Sequence, residues 1–238
     1  MRNYRDSMRI KEPFWNYSDL AIFLGLILPS LLVTGLIMGL LRGAPKVVAL
    51  ISAQSAMYLV LFLGLYLVLK NRYSEPVWEG LGWISSQAAQ WKAVAFGIAL
   101  AFGLSGLGVL LRTPQMTDPM KELLEGDLAV IVVGIAATTV MPVCEELAFR
   151  GFILPLFARS FGPALGILFT ALPFALLHGP QYEWHWQHML LLTMAGCAFG
   201  WMRAWTGSTI SASLMHAAYN MTFMLGYIAN QKELSGTW

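Results

Sequence analysis

The sequence predicts an all-α, polytopic transmembrane bundle of about seven spans, the later ones forming a four-helix core. The first indication is composition, with 57% of the 238 residues hydrophobic and 12% charged, against about 25% charged in an ordinary soluble domain. The second is a positive mean hydropathy. The third is the recurrence of apolar runs of about 20 residues, each long enough as a helix to cross a hydrocarbon core roughly 30 Å thick.

In chain order the runs cover residues 20–41, 47–69, 93–111, 128–158, 162–177, 189–202 and 209–228. A polar, tryptophan-containing lead without a small-residue cleavage pattern precedes the first run, so that run is expected to stay as an anchor. Between the second and third runs, Trp78, Trp83 and Trp91 with Gly80 and Gly82 suit headgroup level. Before the fourth run, Asp118 is expected to cap a short interfacial helix beginning at Pro119 and continuing through Lys121, Leu123 and Leu124. Small residues four apart, Gly35 with Gly39, Gly162 with Gly166 and Gly196 with Gly200, are read as packing points within the bundle. Without repeats or a flexible linker, the chain reads as one integrated membrane domain. It divides into N-terminal spans over residues 1–127 and a later core over 128–238.

A net charge of +2 gives no footing for nucleic-acid binding, but the placement of the positive residues bears on topology. A cytoplasmic N-terminus places Arg2, Arg5, Arg9, Lys11, Lys70, Arg72, Lys92, Arg150, Arg159 and Arg203 on or towards that side. Arg42, Lys46, Arg112, Lys121 and Lys232 fall opposite. Cys144 and Cys197 lie in apolar runs with no disulfide or metal-knuckle spacing.

Charge is absent from the centres of the first three runs and reappears in the fourth, as Glu145, Glu146 and Arg150. Each ionised group at a helix centre costs about 2.5–3.5 kcal/mol on insertion scales, so the group needs partners, water or a function. Glu146 and Arg150 are four apart in acid-before-base order and are expected to pair. Glu145, about 100° around the helix, is left to face a cavity. Surface placement with a snorkelling arginine is the competing reading. Phe174 and His178 share one face of the fifth run, and His216 and Asn220 one face of the seventh. If the fourth and fifth runs form a hairpin near residues 159–162, Glu145 lies about 15 residues before the turn and His178 about 17 after it, which allows their contact. A carboxylate near a neutral imidazole can activate water, while a histidine and an asparagine can donate to the oxyanion formed at an attacked carbonyl. That combination is the chemistry of amide hydrolysis.

Three ordered motifs, EELAFRG at 145–151, FALLHG at 174–179 and HAAYN at 216–220, resemble the CAAX prenyl endopeptidase and bacteriocin-processing proteins (CPBP, or Abi), a family of intramembrane proteases. The resemblance implies that Glu145 and His178 activate water, that His216 and Asn220 stabilise the oxyanion, and that Glu146 and Arg150 support the site. It implies an integral protein of a prokaryotic plasma membrane acting on a membrane-associated protein or peptide in the lipid bilayer. No prenyl-binding feature is legible and the oligomeric state is open. The metal-free form is favoured, although zinc held by Glu145, His178 and His216 is an alternative. A scaffold, immunity protein or transporter built on the same polar residues is the non-enzymatic alternative. Cys144 reads as a small hydrophobe rather than a nucleophile, and Glu183, His185 and His188 as part of an interfacial aromatic belt rather than a metal site.

Overall fold

The computed structural model describes residues 10–85, 87–114 and 117–235. Arg2, Arg5 and Arg9 of the charge count, and the side chain of Lys232, lie outside the described residues. Every regular element among the described residues is helical. Helices α1 (Tyr17–Gly25) and α2 (Ile27–Leu40) form a first unit, followed by α3 (Lys46–Arg72), the short α4 (Val77–Gly80) and α5 (Gln87–Leu110). After α6 (Asp118–Leu123) come α7 (Asp127–Thr138), α8 (Val140–Glu146), a π-helical segment over Leu147–Ile153, and α9 (Leu154–Phe161). The chain ends with α10 (Pro163–Leu177), α11 (Trp186–Thr206) and α12 (Thr209–Ser235).

All of the apolar runs are thus helical, and among the described residues four helical stretches are long and apolar enough to cross a membrane: Tyr17–Leu40, Lys46–Arg72, Ala89–Leu110 and Asp127–Phe161. Pro163–Leu177 is apolar but shorter. Helices α11 and α12 have the length, yet residues such as Arg203, Ser211, Ser213, His216 and Asn220 dilute their apolar character. By length and composition, four of the expected seven spans are thus supported among the described residues.

The fourth run is also not one uniform helix. Its backbone breaks at Thr139, with φ −128° and ψ −83°. Pro142 lies one turn beyond and has no N–H to return to Thr138, which removes a rung at the break. Pro155 likewise cannot bond back to Gly151, and the π-helical turn lies just before it. The expected cap at Asp118 is corrected as well. Thr117 occupies the cap position without a side-chain capping bond, while Asp118 sits in the first turn and accepts from Lys121 at 2.9 Å. The Thr117 hydroxyl instead donates to the Gln181 carbonyl at 2.8 Å.

Two ends of the bundle can be recognised from contacts between distant segments. At one end Tyr17 meets Ser160, Tyr73 meets Asp19, and the Thr209 amide donates to the Gly82 carbonyl. At the other, Lys46 pairs with Glu122 at 3.0 Å, and Thr117 meets Gln181. The first end gathers Lys11, Lys70, Arg72, Arg159 and Arg203, matching the basic side read from the sequence.

One core joins the early and late helices. Trp15, fully buried, stacks on Phe152 at 5.5 Å and donates its indole N–H to the Phe152 carbonyl at 3.1 Å. Leu65, Leu69, Phe174, Phe199 and Met202 belong to the same cluster. Trp15→Ala is expected to cost about 3–5 kcal/mol, the usual loss for a buried aromatic. Thermal unfolding in detergent checks this, and an unchanged midpoint would show that Trp15 does not hold the lead in place. Of the small-residue pairs, Gly196 and Gly200 face α10 at Ala171 and Ile167, and Gly166 lies against Ala158 across the α9–α10 hairpin. Gly162, with φ +80°, makes that hairpin turn. Gly35 and Gly39 meet nothing within 4 Å among the described residues, so the packing role read for them is not one they serve within the bundle.

Candidate active site

The helix break and the π-helical turn bracket the acidic pair and set it inside the bundle. Glu146 and Arg150 are both 0% exposed. Arg150 Nη1 donates to Glu146 Oε1 at 2.8 Å, and Arg150 Nη2 donates to the Gly196 carbonyl of α11 at 2.7 Å. The guanidinium lies over the Phe174 ring at 4.7 Å and near Phe199 at 5.5 Å. A bare buried cation would be untenable, so its carboxylate, carbonyl and aromatic neighbours jointly replace lost water. The snorkelling reading of Arg150 is thereby overturned. Gly196 permits this approach, because a Cβ there would sit 3.1 Å from Arg150 Nη2 and 3.0 Å from the Ala171 side chain.

His216 of α12 joins the same carboxylate, its Nδ1 lying 3.0 Å from Glu146 Oε1. It stacks on Phe199 with ring centroids 4.5 Å apart. A carboxylate accepts, so Nδ1 carries a proton and Nε2 is turned to other use. That Nε2 lies 3.9 Å from Glu145 Oε2, which brings the two glutamates to opposite sides of one imidazole.

Glu145 retains 17% side-chain exposure, in contrast to Glu146. Its other carboxylate oxygen accepts from the Tyr58 hydroxyl at 3.3 Å, and Tyr58 in turn accepts from Gln54 at 2.9 Å. Tyr58 and Gln54 come from α3, which sequence reasoning left without a functional residue. Their only sequence signal is a polar pair four apart in an apolar run. Tyr58→Phe should leave the fold intact and reduce turnover about fivefold, the effect of roughly 1 kcal/mol from one long hydrogen bond. A fall in kcat at constant KM is the expected signature of a group that positions Glu145.

Phe174 and His178 interact as their spacing predicts, with ring centroids 4.8 Å apart and His178 Nδ1 2.8 Å from the Phe174 carbonyl. A carbonyl only accepts, so Nδ1 of His178 is the donor and Nε2 is left for another partner. The contacts of Glu145 are with Tyr58 and His216, and those of His178 are with Phe174, so the geometry does not couple Glu145 and His178 directly. Asn220 also departs from a free donor, since its Nδ2 donates to the Ala137 carbonyl at 2.8 Å just before the helix break. Among the described residues no three His, Cys, Asp or Glu side chains are gathered as a ligand set, and Glu145 approaches His216 while His178 contacts Phe174. In the loop before α11, His185 and Glu183 are 3.9 Å apart and solvent-facing, and Trp184 and Trp186 are exposed as an interfacial belt requires.

Residues 127–222, from the start of α7 to the middle of α12, match the family of type II CAAX prenyl endopeptidase Rce1-like proteins. The chain carries an Rce1-like domain. This agrees with the CPBP resemblance of the three motifs, all of which lie inside the match. The match over residues 127–222 is to a family of membrane endopeptidases, and the four apolar helices long enough to span among the described residues agree with an integral membrane protein. No curated protein and no solved structure matches the chain. The Tyr58–Gln54 support lies outside the Rce1-like domain, in the N-terminal part of the chain.

Proposed function

We propose that the protein is an intramembrane endopeptidase that hydrolyses a peptide bond of a membrane-associated protein or peptide without a metal. The observation that carries this reading is the placement of partly exposed Glu145 beside His216, which is itself tied to the buried Glu146–Arg150 pair. Glu145 is the general base for water. His178 accepts a hydrogen bond from the same water through Nε2, and entry of substrate brings water and carbonyl between these groups. The water oxygen bonds to the carbonyl carbon as one water proton passes to Glu145 and the C=O π pair moves onto the oxyanion; the C=O then reforms as the C–N bond breaks and Glu145 returns the proton to the leaving amine. His216 and Asn220 donate to the tetrahedral oxyanion.

For Nε2 to donate while Nδ1 holds Glu146, His216 must carry both ring protons. The quartet of Glu145, Glu146, Arg150 and His216 is then charge-balanced, which favours its burial. Asn220 reaches the oxyanion after exchanging its bond to the Ala137 carbonyl for the substrate, or through its second amide hydrogen. The N-terminus faces the cytoplasm, consistent with the basic residues gathered at one end of the bundle.

The test is cleavage of membrane-tethered peptides by reconstituted wild type and His178→Ala, with and without a chelator. Wild-type cleavage should persist after verified metal removal, and His178→Ala should lose about 10²–10⁴-fold. Loss on chelation restored by zinc would reverse the metal-free assignment. Proton flux without cleavage would favour a transporter instead.

A further inference from the structure

At the basic end of the bundle, Arg203 in the last turn of α11 is 1% exposed and has no carboxylate within ion-pair distance among the described residues. Its Nε and Nη1 are buried without a hydrogen-bond partner among the described residues. Arg150 has Glu146, a carbonyl and two aromatic faces, whereas Arg203 has no comparable compensation. Leaving a buried guanidinium unpaired is strongly unfavourable, so an acceptor from outside the described chain is called for.

Arg203 lines a cavity of about 320 Å³ together with Lys11, Glu79, Gly82 and Thr206. Gly82 has φ +72°, and a Cβ there would collide with the Arg203 guanidinium. The loop therefore both needs glycine and lets the cation lie against its backbone. With Lys11 and Arg203 against Glu79, the lining is one positive charge in excess. Thr206 is already occupied by the Met202 carbonyl and the Ser208 amide, leaving the two cations as the principal donors.

The depth of the cavity indicates its occupant. Trp78 and Trp201 are 49% and 39% exposed nearby in the fold, Trp201 stacks on Trp205 at 5.2 Å, and Lys92 lies over the Trp205 ring at 5.7 Å. Exposed tryptophans with lysine mark headgroup level at a membrane surface. Basic residues there meet anionic lipid. From the unpaired Arg203, the cavity it lines and this aromatic rim, we infer that the cavity between the lead, the Gly82 loop and the end of α11 binds a phosphate oxyanion, supplied by a phospholipid headgroup. The site lies outside the Glu145 cluster, and the inference does not depend on proteolysis.

The experiment uses the full chain, delipidated in detergent, with lipid retention followed by native mass spectrometry and unfolding by thermal shift. The probes are phosphatidylglycerol, diacylglycerol lacking the phosphate, and inorganic phosphate. Wild type should retain phosphatidylglycerol about tenfold better than diacylglycerol, the size of one charge-assisted hydrogen bond. Arg203→Met should abolish that difference while unfolding no earlier than wild type without lipid, because it removes an unpaired buried charge. Lys11→Gln, at an exposed position, should weaken retention about threefold with the fold unchanged. Equal protection by inorganic phosphate, lost in Arg203→Met, would support the oxyanion site and assign it to free phosphate. Equal phosphatidylglycerol retention by wild type and both variants would overturn the inference. So would a lowered midpoint of Arg203→Met without lipid together with unaltered lipid discrimination by Lys11→Gln, which would make Arg203 purely structural.

Discussion

Glu145→Gln is expected to yield a folded membrane protein whose cleavage of a tethered peptide falls by about 10²–10⁴-fold, the usual worth of a positioned general base. The two adjacent glutamates make this a demanding comparison. Glu145 keeps some exposure, and its polar partners among the described residues are Tyr58 at 3.3 Å and His216 at 3.9 Å, so the amide leaves the bonds of Arg150 and His216 to Glu146 in place. Glu146 is fully buried and is the partner of both Arg150 and His216. Glu146→Gln should therefore lower the unfolding midpoint as well as activity, while Glu145→Gln lowers activity alone. Cleavage kinetics and thermal unfolding of the two variants, run side by side, separate base from support. Near-normal turnover by Glu145→Gln would remove Glu145 from the mechanism, whatever the family.

The contrast also shows which parts of the site the sequence made legible. The Glu146–Arg150 pair follows from a spacing of four on a helix, as does the Phe174–His178 contact. Both depend on local geometry alone. Tyr58 and Glu145 are 87 positions apart, and no periodicity records that α3 presents its hydroxyl to α8. The carbonyls of Gly196 and Ala137 are backbone groups available in any sequence, so their use by Arg150 and Asn220 could not be read. Helical content was legible because apolar runs are long. The break at Thr139 was not, because Pro142 sits within a run whose hydropathy hides it. Arg203 was read only as a charge near a membrane surface, and its burial without a partner appears only once the Gly82 loop closes over it.

Removing Arg150 should have the largest effect on stability. Arg150→Met leaves Glu146 buried with only His216 to meet it, and breaking a buried pair on one side costs about 3–5 kcal/mol. It also removes the bond from the middle of the π-helical segment to the Gly196 carbonyl, loosening α11 against the site. The paired change Glu146→Leu with Arg150→Met removes both charges while keeping apolar volume. Buried pairs replaced in this way are often no less stable than the original, because two desolvation penalties disappear together. The double variant is thus expected to unfold later than either single variant, with a coupling of about 2–3 kcal/mol in a double-mutant cycle read from thermal or denaturant unfolding. It should nevertheless remain inactive, since His216 has lost the carboxylate that fixes its ring and Glu145 faces an imidazole free to turn. Recovered stability without recovered cleavage would show that the pair serves to orient His216 rather than to hold the bundle together. Additive losses in the cycle would mean that Glu146 and Arg150 act independently, and recovered cleavage would mean that His216 needs neither.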